Sequence, residues 1–267
     1  MIAGDETVPA APVAKERQPL HPAIWAAGGA GMVALMVAGL WFAAPALRPV
    51  GMVADKAAME KAVKEAILAN PEIIPEAINR LQEREVEKLL ASNREAIETP
   101  FAGAWMGAED GDVVLVEFFD FNCPFCRQSS GDVERLMAED PKLKLVFRDM
   151  PVLGPDSERF ARASLSAAEQ GRYINFYRSV FAGQGELSQE RLIRSVRQAG
   201  LNEGKVAASL SSKSLADELE RNLSLGRALG LTGTPSYVIG NRILSGAVGY
   251  DALKEAVAAA RAKASPG

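Results

Sequence analysis

Four patterns of apolar and polar residues follow one another along the chain, and the first two lie in its N-terminal part. Residues 1–22 show no apolar period and are rich in alanine, proline and charge, which predicts a disordered tail. Residues 23–47 contain no charged residue and, at about 25 positions, are long enough to span a bilayer with some tilt. They predict one transmembrane helix, and a cleaved signal peptide with Ala44-Pro45-Ala46 at its cleavage site is the alternative.

Residues 48–99 form the third pattern, which is charged and has apolar residues at helical spacing. A first helix is predicted over Ala57–Ala69, ended by Asn70-Pro71, and a second begins near Pro75. This helical arm is expected either to mediate oligomerisation or to pack back on its own domain as a helical hairpin. Its second helix does not hold one heptad register, so a long coiled coil is not predicted. The apolar positions of that helix are Ile74, Ile78, Leu81, Val86, Leu90 and Ile97.

The fourth pattern, over residues 100–267, predicts an α/β domain. Val113–Phe119 is a nearly continuous run of β-branched, aromatic and other apolar residues, which is typical of a buried parallel strand. Residues 142–148 predict a second strand. The helix between them begins at Cys123-Pro124-Phe125-Cys126 and completes a right-handed βαβ unit.

A helical insertion of about residues 151–232 follows this βαβ unit, and Gly230 is expected to end its last helix. Two short strands around Gly240-Asn241 then predict a β-hairpin, and a helix over Tyr250–Ala262 closes the domain. This order of elements predicts a thioredoxin-like α/β fold with an inserted helical domain, preceded by the arm and the N-terminal transmembrane helix.

Charge and composition narrow the chemistry. The formal net charge of −4 gives no strong positive field, so a nucleic-acid partner is not predicted. The chain has two cysteines and one histidine, and that histidine, His21, lies in the tail. These counts argue against a metal site and against a nucleophile activated by histidine. No metal and no cofactor are therefore expected.

Both cysteines, Cys123 and Cys126, lie in one C-x-x-C segment, which beside a βαβ pattern is typical of a redox-active dithiol. Their spacing places both sulfurs on one face of the first helical turn, where free N–H groups lower the pKa of the first thiol. Cys123 is the predicted nucleophile and Cys126 the buried resolving thiol. Pro124 suits the first helical position. Phe125, between the cysteines, is the position expected to tune the dithiol, and its side chain cannot donate a hydrogen bond to the thiolate. Half of a metal site and an inert short-loop disulfide are the alternatives.

Two further features fit a dithiol site. Glu117 is a carboxylate in an apolar strand, six residues before Cys123. Burial should raise the pKa of Glu117 and let it exchange a proton with Cys126, unless it is only a hydrogen-bonded structural glutamate. Thr234-Pro235 precedes the hairpin, where a proline begins a strand but does not continue a central one.

The segment from Glu117 to Cys126 (EFFDFNCPFC), together with Gly233–Gly240 (GTPSYVIG), resembles the DsbA-like family of extracytoplasmic thiol–disulfide oxidoreductases. It is most similar to ScsC-type members with an N-terminal helical arm, over about residues 55–265. The resemblance implies a thioredoxin fold with inserted helices and a cis Thr234–Pro235 bond facing the dithiol. It also implies that Glu117 is the family's buried acid, and that residue 234 offers backbone hydrogen bonds to an extended substrate.

The sequence departs from the family pattern at Phe125, where strong oxidases have a histidine. Without that histidine, Cys123 should be less acidic and the dithiol less oxidising, which favours isomerase or reductase activity. Thr234 before the proline also resembles isomerase-type members, which are oligomers. Oxidase, isomerase and reductase all stay open, and so does a non-catalytic, chaperone-like binding module.

An oxidising function places residues 100–267 outside the cytosol, so the expected location is the periplasm, with residues 23–47 anchoring the chain in the inner membrane. Secretion to the periplasm after signal cleavage is the alternative, and the basic residues flanking this segment would instead favour a cytosol-facing reductase. Expected partners are unfolded or misoxidised proteins, a membrane redox protein that reoxidises or reduces the dithiol, and a second copy of the chain through residues 48–99.

Overall fold

A computed structural model describes residues 56–264 of the 267-residue chain. The predicted tail (1–22), the predicted anchor or signal peptide (23–47) and the first residues of the arm lie outside the described residues. Between residues 56 and 264, no helix is long and apolar enough to cross a membrane.

The described residues form one mixed sheet of five strands. Its strands are β1 (Trp105–Gly107), β2 (Val113–Phe119), β3 (Leu143–Asp149), β4 (Ser236–Ile239) and β5 (Arg242–Ser245). Their spatial order is β1-β3-β2-β4-β5. β2 and β3 run parallel, whereas the other neighbouring pairs are antiparallel.

The predicted βαβ unit and β-hairpin are both confirmed. β4 and β5 are joined through Gly240-Asn241, and Gly240 has a positive φ of 56°, a conformation that favours glycine. Strand β1 was not predicted, because three residues are too short to show an apolar period. It pairs with β3 at the edge of the sheet.

The described residues also form nine helices. They are α1 (Lys56–Ala69), α2 (Ile73–Glu98), α3 (Pro124–Glu139), α4 (Pro155–Glu169), α5 (Tyr173–Ala182), α6 (Gln189–Gln198), α7 (Glu203–Ser209), α8 (Lys213–Ala228) and α9 (Tyr250–Ala264). Helices α4 to α8 lie between β3 and β4, which confirms the helical insertion. Gly230 ends α8 as predicted, with a φ of 69° and a hydrogen bond from Leu231 N–H back to the Gly226 carbonyl.

The two faces of the sheet carry separate parts of the core, because successive side chains of a strand point to opposite sides. Leu115 and Phe147 face the larger part, which includes apolar residues of α3, α4, α5 and α9. Val116 and Val146 face the smaller part, where α2 packs. The dithiol helix and the second half of α2 therefore lie on opposite faces of β2 and β3.

The arm consists of α1 and α2, close to the predicted bounds. α1 belongs to a separate compact unit, and none of its residues is buried. α2 begins at Ile73, two residues before the predicted start, because Pro75 is tolerated in a first turn that needs no intrahelical N–H. The second half of α2 buries Leu90 and Ile97 against the sheet, whereas the first half leaves its apolar positions exposed.

Arg148 fastens the second half of α2 to the sheet. Its buried guanidinium, on the α2 side of β3, donates to the carbonyls of Ala96, Ile97 and Thr99 at the end of that helix. It also donates to Asn222 Oδ1 at 3.1 Å on α8. These bonds satisfy carbonyls that a helix end leaves without partners.

Candidate active site

The dithiol segment begins α3 as the sequence predicts. Cys123 is the N-cap residue in an extended conformation, and Pro124 occupies the first helical position. The turn before it is closed by Cys123 N–H, which donates to the Asp120 carbonyl at 3.0 Å. The unpaired N–H groups of the first turn therefore surround the sulfur of Cys123.

Hydrogen bonds to the Cys123 sulfur favour its thiolate form. The Cys126 thiol, the Thr234 side chain and the backbone N–H groups of Cys126 and Phe125 together lower the pKa of Cys123 from 9.0 to about 5, against a smaller opposing effect of burial. Its Sγ also lies 3.2 Å from the Thr234 carbonyl oxygen. Only 5% of Cys123 is exposed, so a substrate must contact the surrounding loops closely to reach the sulfur.

Cys126 has the opposite character. It is fully buried, and burial is the main cause that raises its pKa far above the usual range of a thiol. The hydrogen bond that its thiol donates to Cys123 and the nearby Glu117 carboxyl raise the pKa of Cys126 further. Within one turn of helix, the pKa of the Cys123 thiol is lowered and that of the Cys126 thiol is raised.

Glu117 is fully buried on β2 and contacts two tyrosine hydroxyls. The Tyr177 hydroxyl lies 3.3 Å from Oε2, and the Tyr237 hydroxyl lies 3.5 Å from Oε1. Burial raises the pKa of Glu117 to about 8, as the sequence predicts in direction, although both hydroxyls act to lower it. Tyr237 has a closer acceptor, Ser129 Oγ at 2.9 Å, so a protonated Glu117 is the better partner for the Tyr237 oxygen.

The loop before β4 faces the dithiol. Its Thr234–Pro235 bond is cis, as the family resemblance implies, and Thr234 contacts the Cys123 sulfur. Ser236 begins β4 directly after the proline, where a strand tolerates proline. The structure places Pro124, Phe125, Thr234 and Pro235 next to Cys123 and places Glu117 near Cys126.

Sequence reasoning missed Asp120, which organises the loops next to the dithiol. This buried carboxylate accepts hydrogen bonds from Asn122 N–H at 2.8 Å, Val152 N–H at 2.8 Å and Leu153 N–H at 3.0 Å. An aspartate two residues before a turn residue is a signal for such a local bond. The bonds to Val152 and Leu153 join distant segments and leave no local signal.

Phe125, Val152 and Leu153 form an exposed apolar surface on the loops next to the dithiol. These side chains are 58%, 50% and 45% exposed. The Asn122 side chain, one residue before Cys123, donates to the Leu153 carbonyl at 3.3 Å, so the loop carrying Val152 and Leu153 contacts the dithiol loop. Within residues 56–264, no group of three or more histidine, cysteine or acidic side chains is placed to hold a metal ion.

Two family models match the sequence of the chain. The model of the DSBA-like thioredoxin domain matches residues 114–258, which is more than half of the chain. The model of the copper resistance protein ScsC N-terminal domain matches residues 55–88, which contain α1 and the first half of α2.

Two of the solved structures that have a similar fold come from Silicibacter pomeroyi and Proteus mirabilis. A thioredoxin-like oxidoreductase from Silicibacter pomeroyi is 34% identical, with a TM-score of 0.61 over 64% of this chain and 98% of that chain. The catalytic domain of Proteus mirabilis ScsC is 28% identical, with a TM-score of 0.60 over 66% of this chain and 98% of that chain.

A curated relative of another class also matches. The Na(+)/H(+) antiporter NhaA of Herminiimonas arsenicoxydans is 35% identical over 147 residues, which are 55% of this chain and 23% of the antiporter. The chain spans about a quarter of the length of the curated relatives it matches first, so their transport activity is not carried over to it.

Proposed function

The chain belongs to the DsbA-like thioredoxin domain family, a family of protein-disulfide oxidoreductases, and from this premise we propose that it exchanges disulfides of extracytoplasmic proteins through Cys123 and Cys126. The supporting observation is the opposite character of the two thiols within one helical turn. Hydrogen bonds lower the pKa of Cys123 to about 5, whereas burial raises the pKa of Cys126. At neutral pH one sulfur is a thiolate and the other keeps its proton.

The exchange proceeds in two steps. The Cys123 thiolate attacks a substrate disulfide, forms a mixed disulfide and releases one substrate thiolate. Cys126 then gives its proton to the Glu117 carboxylate and attacks the Cys123 sulfur, which forms the Cys123–Cys126 disulfide and releases the second substrate thiolate. The same steps in reverse transfer the enzyme's disulfide to a substrate dithiol.

Thr234 and Pro235 are proposed to hold the substrate segment beside Cys123. The Thr234 carbonyl lies next to the Cys123 sulfur in the thiol form, and it loses that contact when the sulfur enters a mixed disulfide. It then becomes an acceptor for a backbone N–H of an extended substrate. The apolar surface of Phe125, Val152 and Leu153 supports substrates that are unfolded and expose apolar side chains near a cysteine.

Serine substitutions at the two cysteines test this proposal. Cys123→Ser is expected to abolish exchange with a disulfide-bonded peptide, because the thiolate is lost. Cys126→Ser is expected to accumulate a mixed disulfide with the same peptide, which nonreducing electrophoresis and mass spectrometry detect. Gln128→Ala, at an exposed position of α3, is the matched control and keeps both thiols.

Full activity of Cys123→Ser would overturn the proposal. A Cys123–Cys126 disulfide that stays intact under native conditions in dithiothreitol or glutathione would instead favour the non-catalytic, chaperone-like module. The proposed location is the periplasm, with a membrane redox protein that reoxidises or reduces the dithiol. A topology reporter fused after residue 267 distinguishes this location from a cytosol-facing reductase.

One observation favours isomerase activity in an oligomer as a second candidate. Ile74, Ile78 and Leu81 lie on one face of α2 and are each about half exposed. Met59 and Val63 of α1 are likewise about half exposed. Apolar stripes of this kind are suited to contact with another copy of the chain, which would bring more than one dithiol to a misoxidised substrate.

The test of this candidate uses point variants, because deleting residues 48–99 would also remove Leu90 and Ile97 from the core. Ile78→Glu combined with Leu81→Glu is expected to reduce the oligomer to a monomer in light scattering and to lower refolding of a scrambled-disulfide protein. Reduction of a simple peptide disulfide should be unchanged. Glu83→Gln, an exposed position on the same helix, is the control, and an unchanged mass in the double variant would contradict the candidate.

A further inference from the structure

Asp149, the last residue of β3, is a second buried carboxyl group in the core that holds Glu117. It is 1% exposed, and the exchange steps above do not use it. Its Oδ2 accepts a hydrogen bond from the Tyr173 hydroxyl at 2.9 Å. Its Oδ1 lies 2.5 Å from the Ser164 hydroxyl, which is also 2.7 Å from the Ala161 carbonyl. The single Ser164 hydroxyl proton is shared between the Asp149 carboxyl and the Ala161 carbonyl, and its donation to Asp149 opposes the effect of burial on the pKa of Asp149.

The strand register places the two acids on one face of the sheet. Glu117 pairs with Phe147 across the parallel strands, and Asp149 lies two residues beyond Phe147 on the same strand. Helix α5 covers this face with Tyr173 and Tyr177, one turn apart, and each hydroxyl contacts one of the two acids. The Phe147 ring contacts both tyrosine rings, with centroid distances of 5.1 and 4.7 Å.

Neither acid has a cationic partner among residues 56–264 within ion-pair distance. Arg148 is the neighbour of Asp149 in sequence, but its guanidinium lies on the opposite face of the sheet and bonds α2 and α8. The charge of Arg148 still attracts that of Asp149 through the strand, whereas the Asp120 carboxylate disfavours the ionisation of Asp149. Burial raises the pKa of Asp149 to about 7, and the charge of Asp149 in turn raises the pKa of Glu117.

We propose that Asp149 is a positioning residue of the dithiol site, whose own charge determines whether Glu117 holds a proton when Cys126 reacts. This inference rests on the function proposed above. In the resolving step, the proton leaves the Cys126 thiol for the Glu117 carboxylate, the Cys126–Cys123 bond forms, and the Cys123–substrate bond breaks. Glu117 must therefore be ionised before the step and protonated after it.

Asp149 acts on this step through repulsion between its own negative charge and that of Glu117, which are both buried. The negative charge of an ionised Asp149 raises the pH at which Glu117 ionises. The two groups titrate as a coupled pair, and the apparent values belong to the pair. Tyr173 contributes because its hydroxyl favours the ionised form of Asp149.

The test follows the resolving step alone, as single-turnover release of a thiol peptide from a preformed mixed disulfide at Cys123, across a range of pH. Asp149→Asn in the full chain is expected to move the midpoint of the rising limb to lower pH by about one unit. Tyr173→Phe should move it in the same direction by less, because Asp149 then stays neutral to higher pH. Asp110→Asn, at an exposed position, is the control that leaves the midpoint in place.

A second readout keeps the inference testable if Asp149→Asn does not fold. Carbon NMR of labelled carboxyl groups in the unsubstituted protein should show Glu117 and Asp149 each titrating in two coupled steps, and Tyr173→Phe should change both curves. Two independent single-step titrations, or an unshifted midpoint in a folded Asp149→Asn protein, would overturn the inference. Neither result would contradict the proposed disulfide exchange, because that proposal is tested separately by Cys123→Ser.

Discussion

Replacing Glu117 with glutamine should make the protein more stable above neutral pH while it disables the resolving step. Glu117 has an ordinary pKa of 4.5 when unfolded and a pKa of about 8 when folded, because burial penalises its charge. The folded state therefore holds the proton more tightly, so the contribution of Glu117 to stability is complete below pH 4.5 and is lost as the pH rises through 8. Between pH 5 and pH 8 this loss amounts to about 3 kcal/mol.

The assay is urea unfolding of the reduced protein at several pH values, compared with Glu117→Gln. Glutamine keeps the size of the side chain and an acceptor for Tyr177, but it does not ionise. The difference in free energy of unfolding between variant and parent should therefore grow by about 3 kcal/mol from pH 5 to pH 8, while the titration of the cysteines cancels in the comparison. Glu169→Gln, at an exposed position of α4, should show no such growth.

The same variant should slow peptide release from the mixed disulfide by about 100-fold, since general acid–base assistance is typically of that order. Parallel stability curves for Glu117→Gln and the parent would refute the reasoning, because they would show that Glu117 is ionised in the folded protein. If the stability difference grows as expected but Glu117→Gln releases the peptide at the parent's rate, only the proposed proton transfer between Cys126 and Glu117 is refuted.

Three further predictions concern the surroundings of the site. Thr234→Val should raise the pKa of Cys123, because one hydrogen bond to the thiolate is lost, and ultraviolet absorbance of the thiolate across pH measures the change. Asp120→Ala should lower the free energy of unfolding by about 2–4 kcal/mol, because three partly buried N–H groups lose their acceptor, whereas Asp120→Asn should lose less. Arg148→Met should cost about 3 kcal/mol in urea unfolding, since the carbonyls at the end of α2 lose their donor, and equal stability of the variant would contradict the role assigned to that residue.

Local patterns made most of the catalytic domain predictable. The apolar run of β2, the Gly240-Asn241 hairpin and the start of α3 at Cys123-Pro124 each depend on residues that are adjacent in sequence. The N-terminal position of Cys123 on a helix also predicted the direction of its pKa. These features could be inferred because strand alternation and the free N–H groups of a helix start are local properties.

The remaining features depend on contacts between distant segments. The sequence identified Glu117, but not the hydroxyls of Tyr177 and Tyr237 that reach it from α5 and β4. Asp149 and Arg148 are adjacent in sequence, yet the alternation of β3 places them on opposite faces, Asp149 toward the dithiol core and Arg148 toward α2. The sequence Arg148-Asp149 at the end of a strand does not show that the two side chains contact different helices.

The exposed apolar residues help to distinguish a monomeric oxidase from an oligomeric isomerase, which family membership alone does not. In the part of the chain that the structure describes, large exposed apolar side chains occur in two groups, one over residues 59–81 and the other at Phe125, Val152 and Leu153. An oxidase requires only the second group, which lies at the dithiol loops. Covering the remaining exposed half of Ile74, Ile78 and Leu81 would contribute about 2–4 kcal/mol per chain, which offsets part of the free-energy cost of association. A monomeric oxidase would gain nothing from this stripe, so the oligomeric state of Ile78→Glu combined with Leu81→Glu is the measurement that separates the two activities.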